Sequence, residues 1–197
     1  MKWIGLTGNI ASGKTTVANV LREQAIPIID ADQISHQALR IEQDRILNYF
    51  GNGILGEDGQ IDRRKLGEKV FSSQKSREVL EGILHPLIQK KVAEKRALLE
   101  SAGYHWAVYD VPLLFENKLE DQFDAILLVI APDKLRLERL VDRKGLTEEE
   151  AKQRMATQMD PEQKKTKAHF VIENDGDVDQ LRERVLAWKA TIDSKYS

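Results

Sequence analysis

Five short apolar segments, rich in Val, Ile and aromatic residues, alternate with longer amphipathic stretches along the chain. Most of the five are apolar at every position, which is typical of strands covered by helices on both faces. Alternation of such strands with helices indicates βαβ units and a parallel sheet. The predicted strands cover residues 3–7, 26–30, 106–111, 125–131 and 170–173.

The spacing of these strands is uneven. Residues 31–103 contain only helical patterns, interrupted by two turns with glycine at 51–53 and 56–59, and residues 132–166 form a second strandless, charged stretch. Inserts that follow the second and fourth strands overhang the carboxyl edge of the sheet, where ligands bind in open α/β folds. The predicted division is a core of 1–30, 104–132 and 165–197, a mostly helical insertion of 31–103 and a helical lid of 133–164.

Composition excludes several classes of protein. The 197 residues contain 30 Lys and Arg, 32 Asp and Glu, and no Cys. A thiolate nucleophile, a Cys-ligated zinc ion and an iron–sulfur cluster are therefore excluded, and a cytoplasmic location is the default expectation. The near-zero net charge argues against a long nucleic acid as the main partner. No apolar run approaches the roughly 18 residues of a membrane span, so no membrane partner is expected.

Residues 8–15 (GNIASGKT) match the pattern G-x-x-x-x-G-K-[ST] between a predicted strand and a helix predicted at 16–24. In this context the loop points successive N–H groups at phosphate oxygens, Lys14 reaches the β- and γ-phosphates, and the Thr15 hydroxyl ligates Mg²⁺. The alternative is an ordinary strand–helix turn with an exposed lysine. The sequence thus predicts a three-layer P-loop NTPase fold and a nucleoside triphosphate bound by Ala11, Ser12, Gly13, Lys14, Thr15 and Thr16.

Two missing motifs argue against a GTPase switch as the function that uses the triphosphate. A GTPase switch needs Asn-Lys-x-Asp after a late strand and Asp-x-x-Gly after the third, whereas the chain has ENDG at 173–176 and DVPL at 110–113. A small-molecule kinase needs a carboxylate for the acceptor hydroxyl, cations for the transferred phosphoryl group and a lid that excludes water. We favour the kinase. A nucleotide- or sugar-acid kinase and an ATP-dependent regulatory protein remain alternatives.

The carboxylates are Asp30 and Asp32, at the end of the second predicted strand. In an extended segment, residues two apart lie on one face. One carboxylate could take the acceptor proton while the other serves Mg²⁺ or caps the following helix. The spacing does not decide between them.

Candidate cations occur in both inserts. Arg136, Arg139 and Arg143 have helical i, i+3, i+7 spacing ahead of a glycine at 145, as expected of a lid that closes on phosphates. The alternative is a solvated helix.

The 62–77 stretch is also basic, which suits an acceptor that carries phosphates. Further along the chain, His85-Pro86 predicts a turn that breaks a helix.

Together these motifs closely resemble the dephospho-coenzyme A kinase family over essentially the whole chain. The resemblance rests on the loop of 5–15, IDAD at 29–32, LHPLI at 84–88, VPLLFE at 111–116 and VIEN at 171–174. It implies transfer of the ATP γ-phosphoryl group to the ribose 3′-hydroxyl of dephospho-CoA, the last step of coenzyme A synthesis. It also implies ATP and Mg²⁺ as cofactors, and we expect a monomer or a weak homo-oligomer.

The resemblance also implies residue roles. Asp32 becomes the catalytic base, Lys14 and Arg139 the transition-state cations, and Arg143 a supporting lid residue. The 31–103 insertion becomes the dephospho-CoA domain, and Asn174 lies near the adenine. The predicted acceptor-binding residues are Arg63, His85, Leu113, Leu114 and Phe115.

The match to the family departs at two positions and leaves one role open. Asn9 and Ala11 stand where the family commonly has glycine, which concerns the geometry of the loop. Asp110 resembles a Walker B acid and is a candidate Mg²⁺ ligand.

Overall fold

A computed structural model describes residues 1–196, apart from the side chains of Arg143 and Lys144. The chain divides into two compact units, one of Met1–Ile29 with Leu99–Ser197 and one of Asp30–Leu98. Along the chain the elements are β1 (Lys2–Gly8), α1 (Lys14–Glu23), β2 (Ile28–Asp30), α2 (Ala31–Ile41), α3 (Gln43–Phe50), α4 (Arg63–Phe71), α5 (Gln74–Ser101), β3 (Trp106–Asp110), β4 (Ala125–Ile130), α6 (Asp133–Lys144), α7 (Glu148–Ala156), α8 (Pro161–Lys167), β5 (Phe170–Glu173) and α9 (Val178–Tyr196).

The five strands form one parallel sheet in the order β2-β3-β1-β4-β5, which confirms the predicted α/β fold. The central strand β1 pairs with β3 on one side and β4 on the other, so that Ile4 lies opposite Val108 and Ala125. The loop that follows β1 therefore begins at the carboxyl edge of the sheet, between two strands that lead to opposite edges. In open α/β sheets this is the position where ligands bind.

Apolar side chains from the sheet and from helices α1 and α9 form a buried cluster in the first unit. Ile4 and Leu6 of β1 are fully buried, as the continuous apolar pattern predicts. Val17 and Leu21 of α1 and residues of α9, among them Val185, join the same cluster. This packing fixes the direction in which α1 leaves the loop after β1.

The second unit is helical, as expected for residues 31–103. Between residues 31 and 98 the one strand-like feature that the structure describes is an isolated bridge between Leu55 and Ile61, which closes the turn at 56–59. Its core is a smaller cluster built on Ile46, Phe50, Ile54 and Leu66.

The predicted helix break at His85-Pro86 is wrong, because α5 continues through Pro86 from Gln74 to Ser101. A proline inside a helix removes one N–H and its ring crowds the carbonyl four residues earlier. That residue is Gly82. Apart from its chain neighbours and the backbone of the helix itself, no atom lies within 4 Å of the position that a Cβ would occupy there.

None of the helices in the part of the chain that the structure describes has the length and apolar character needed to cross a membrane.

Candidate active site

The loop of residues 8–15 curls tightly between β1 and α1. The N–H of Ser12 donates to the carbonyl of Asn9 at 3.0 Å, and both Ala11 (φ 61°) and Gly13 (φ 98°) are in the left-handed region. A Cβ on Gly13 would lie 2.1 Å from the Asn174 amide nitrogen, so that no larger residue fits. Helix α1 begins at Lys14 without a side-chain cap, which leaves its first N–H groups directed at the loop.

Three side chains from distant segments hold successive carbonyls of this loop. Arg136 Nε donates to the Ile10 carbonyl at 3.1 Å and Arg139 Nη1 donates to the Ala11 carbonyl at 3.1 Å. Asn174 Nδ2 donates to the Ser12 carbonyl at 2.8 Å. The Ile10 and Ser12 N–H groups donate within the protein, to Gln158 Oε1 and the Asn9 carbonyl, so the motif assigns anion binding to the other N–H groups of the loop. Such a concave array of N–H groups is an anion-binding nest.

Arg136 is therefore a support of the loop, and the expectation that its side chain faces the phosphates is wrong, because the side chain does not line the cleft. Its side chain is 2% exposed, and its guanidinium pairs with Asp133 at 2.8 Å. Burial lowers the pKa of Arg136 below its ordinary value, although Asp133 opposes the shift. The helical spacing of the arginines is correct, but the tertiary contacts place Arg136 against the loop. The side chain of Arg143 lies outside the described part of the structure.

Lys14 forms an ion pair with Asp110, which ends β3. Both side chains are largely buried, so the attraction between the charges is little screened by solvent. The pair places the lysine ammonium and a carboxylate at the same edge of the sheet. A cation and a carboxylate in this arrangement suit a phosphate group and its metal ion.

A cleft of about 720 Å³ opens over the loop. Ligand sites for nucleotide-sized molecules typically have volumes of about 300–1,000 Å³. Of the predicted site residues, the cleft is lined by Ala11, Ser12, Gly13, Lys14, Thr15, Thr16, Leu113, Arg139 and Asn174.

The three apolar residues predicted to line the acceptor site differ in exposure. Leu113 is 41% exposed and lines the cleft, whereas Leu114 and Phe115 are buried in the core. Leu114 packs so closely on β1 that a Cβ at Gly5 would lie 2.6 Å from its side chain. The expectation that Leu114 and Phe115 face a ligand is therefore corrected, and they support the segment that carries Leu113.

Asp30 and Asp32 have different surroundings within the second unit. Helix α2 begins at Ala31, and the Asp30 carboxylate caps it by accepting from the Gln33 N–H at 3.0 Å. Asp32 lies exposed in the first turn of this helix. The expectation that both carboxylates share the face of an extended segment is wrong, because the strand ends between them.

The other two predicted residues of the second unit, Arg63 and His85, have different surroundings. Arg63 is the first residue of α4 and lines a groove of about 250 Å³ together with His36, Arg40, Gln43 and Asp58. His85 is exposed on α5 and is not among the residues that line this groove.

Gln158 is a residue of the cleft that carries no signal in the sequence. Its Oε1 accepts from the Ile10 N–H at 2.7 Å, across 148 residues of chain. The neighbouring Met159 carbonyl accepts from Asn9 Nδ2 at 2.9 Å. No local pattern predicts contacts at such separations.

The parallel sheet and the anion-binding nest at its central strand define the class of P-loop nucleotide-binding α/β proteins. The sequence profile of the dephospho-CoA kinase family matches residues 2–180. The dephospho-CoA kinase of Geobacillus kaustophilus is 44% identical over 188 residues, 93% of each chain. That of Bdellovibrio bacteriovorus is 41% identical over 194 residues, 95% of this chain and 96% of the other. The chain belongs to the dephospho-CoA kinase family, and it is accordingly an ATP-dependent kinase.

Solved structures agree with this assignment. A Thermus thermophilus protein superposes with a TM-score of 0.87 at 35% identity, over 98% of this chain and 97% of the other. The dephospho-CoA kinase of Campylobacter jejuni superposes with a TM-score of 0.68 at 27% identity, over 97% of each chain. The shikimate kinase of Acinetobacter baumannii, at 16% identity and a TM-score of 0.53, shares the fold alone.

Proposed function

We propose that this protein transfers the γ-phosphoryl group of ATP to the ribose 3′-hydroxyl of dephospho-CoA, giving CoA and ADP. The observation that carries the proposal is the identity of about 40% over nearly the whole chain to proteins named dephospho-CoA kinase. The cleft over the P-loop also has the features that the binding of a triphosphate donor requires.

On the donor side, the loop N–H groups would bind the β-phosphate oxygens, and Lys14 would contact the β- and γ-phosphates. Arg139 reaches the same cleft and would neutralise charge on the transferred group. Asn174 holds the loop through Ser12, which is a different role from the adenine contact implied by the resemblance.

Magnesium would be held by the Thr15 hydroxyl and the Asp110 carboxylate. Both donors are oxygens, as Mg²⁺ prefers, and phosphate oxygens and water complete its coordination in kinases. Among the described residues no cluster of three His, Cys, Asp or Glu side chains could hold a metal ion. That observation fits an ion held chiefly by the substrate. When bound, Mg²⁺ supplies neutralisation of the phosphate charge.

On the acceptor side, we assign Asp32 as the base. Its carboxylate would take the proton of the 3′-hydroxyl as that oxygen bonds to the γ-phosphorus, and the bond to the β–γ bridging oxygen breaks to release ADP. Asp30 is occupied as a helix cap, so Asp32 is the carboxylate available for the proton. We further assign acceptor binding to the 31–103 insertion, with Arg63 and His85, and to Leu113, and we assign 133–164 as the lid.

The test is an assay of purified protein with Mg-ATP and dephospho-CoA, in which ADP and CoA are measured together. We expect one CoA for each ADP and ADP release without the acceptor at least tenfold slower. ADP release that dephospho-CoA does not stimulate would contradict the proposal. A nucleotide and a sugar acid serve as control acceptors.

We also propose a cytoplasmic location, which fractionation of cells would test.

A further inference from the structure

A partly buried glutamate on the segment after β3 binds the polypeptide that holds the P-loop. Glu116 Oε1 accepts from the Met159 N–H at 3.1 Å and lies 2.7 Å from Lys164 Nζ. The Lys164 side chain is fully buried. A buried ammonium is unfavourable unless a carboxylate compensates it, so the position of Glu116 is fixed by a strong requirement.

The Met159 residue connects this glutamate to the P-loop. Its N–H is held by Glu116, and its carbonyl accepts from Asn9 Nδ2. Asn9 is 3% exposed and follows Gly8, at the entry of the loop. The preceding residue, Gln158, accepts from the Ile10 N–H. The 158–159 turn thus fixes two successive loop residues, and Glu116 fixes the turn.

The same segment also reaches the cleft directly. Thr7 of β1 donates from Oγ1 to the Pro112 carbonyl at 3.1 Å, and Leu113 lines the cleft. A displacement of this segment would therefore be transmitted to the amino-terminal end of the loop, through Thr7 and through Asn9 and Ile10. Phosphate recognition by backbone N–H groups depends on their position to within about 0.5 Å.

We propose that Glu116 is a positioning residue for the phosphoryl donor, acting through Met159 and Asn9 to fix the P-loop in its nucleotide-binding form. The proposal rests on ATP being the ligand of this loop, and it assigns to Glu116 a role that does not involve contact with substrate. Lys164 holds the Glu116 carboxylate in place.

A matched pair of double variants separates this role from simple stability. Glu116→Gln with Lys164→Met keeps an oxygen acceptor for the Met159 N–H, whereas Glu116→Leu with Lys164→Met removes it. Both variants lack the two buried charges, so neither leaves an uncompensated ion. We expect the leucine variant to bind Mg-ATP about tenfold more weakly than the glutamine variant, on the scale of one or two lost hydrogen bonds. Equal ATP affinities in the two folded variants would overturn the proposal.

The effect must also pass through Asn9. Asn9→Ala alone should weaken Mg-ATP binding about fivefold. Added to the leucine variant it should cause less than a twofold further loss, because the two changes interrupt one path. If the two changes instead weaken Mg-ATP binding independently, so that their fold-losses multiply, the path through Met159 is contradicted.

Glu120 supplies the control. It pairs with Lys167 at 2.9 Å and so joins the same two segments, but the Met159 N–H donates to Glu116 and not to Glu120. Glu120→Gln should leave the ATP affinity within about twofold. Binding is measured calorimetrically without dephospho-CoA, so the result can be interpreted even if the proposed acceptor is wrong. A wild-type protein that binds Mg-ATP but does not phosphorylate dephospho-CoA would contradict the proposed function and leave this test valid.

Discussion

The candidate residues of the P-loop and those of the 30–98 unit differ in how many contacts hold them in place. In the P-loop, three consecutive carbonyls are held by side chains from residues 136, 139 and 174, and two further contacts come from 158 and 159. In the second unit, Asp32, Arg63 and His85 are exposed. The second unit is held by its own smaller core.

The proposed function accounts for this difference by what each region would recognise. A triphosphate bound by backbone N–H groups needs a loop of fixed shape, because the backbone cannot adjust by changing rotamers. Side chains on helices, which are proposed to bind the acceptor, can adjust to it by changing rotamers. Substitutions that affect the loop should therefore change parameters for ATP, and those in the second unit should change parameters for the acceptor.

The largest effect is expected at Lys14. Lys14→Met removes the ammonium while keeping an apolar stem, and kcat should fall by about 10³-fold, the scale of a preorganised group that stabilises transition-state charge. The assay is CoA formation at saturating substrates. Lys2→Met, which breaks the exposed pair with Asp124, is the control and should change kcat by less than about twofold. A similar fall in both variants would contradict the assignment.

The next effect distinguishes the two carboxylates of the second unit. Asp32→Asn should lower kcat by about 10²-fold, because general bases contribute on that scale. Asp30→Asn keeps a good helix cap, since asparagine caps as well as aspartate, and kcat should change by less than about threefold. Steady-state kinetics of both variants decide the matter. A severe loss at Asp30 with a mild one at Asp32 would exchange the roles.

A third experiment compares the two arginines that hold the loop. Arg139→Ala should lower kcat about tenfold more than it raises the Kd for ATP, because the cation acts mainly on charge that develops in the transition state. Arg136→Ala should lower the free energy of unfolding by about 2 kcal/mol through lost packing and a lost charged hydrogen bond. Kinetics and urea unfolding of both variants measure these effects. Equal destabilisation by the two changes would remove the distinction.

The smallest effect is expected in the second unit. Arg63→Ala should raise KM for dephospho-CoA about threefold and leave KM for ATP unchanged, because an exposed charge contributes little. The neighbouring Arg64 does not line the groove, so Arg64→Ala is the matched control. A rise in KM for ATP with Arg63→Ala would show that the two regions are not separate in function.

Local patterns predicted the parts of the molecule that depend on neighbours in sequence. The strands follow from continuous apolar runs, and the P-loop follows from glycines and Lys14 at fixed spacing between a strand and a helix. Both are confirmed, with β2 beginning two residues later than predicted. The position of the helical insertion also followed from the absence of strand patterns in 31–103.

Long-range packing decided what local patterns could not. The spacing of Arg136 and Arg139 is the same whether they face solvent or the P-loop, and only the fold buries Arg136. Gln158 and Ile10 meet across 148 residues, and Glu116 and Met159 across 43. Pro86 alone indicates a break, but helix α5 continues through it.

The contact between Asn174 and the Ser12 carbonyl has a consequence for synthesis on the ribosome. The loop is synthesised well before one of the three side chains that hold it, because Asn174 lies 162 positions after Ser12 in the chain. Chains are synthesised at about 5–20 residues per second, so this contact forms roughly 8 to 32 seconds after the loop has been made. A nascent chain that stops before Asn174 should bind nucleotide weakly, and ATP could not assist the early folding of this protein.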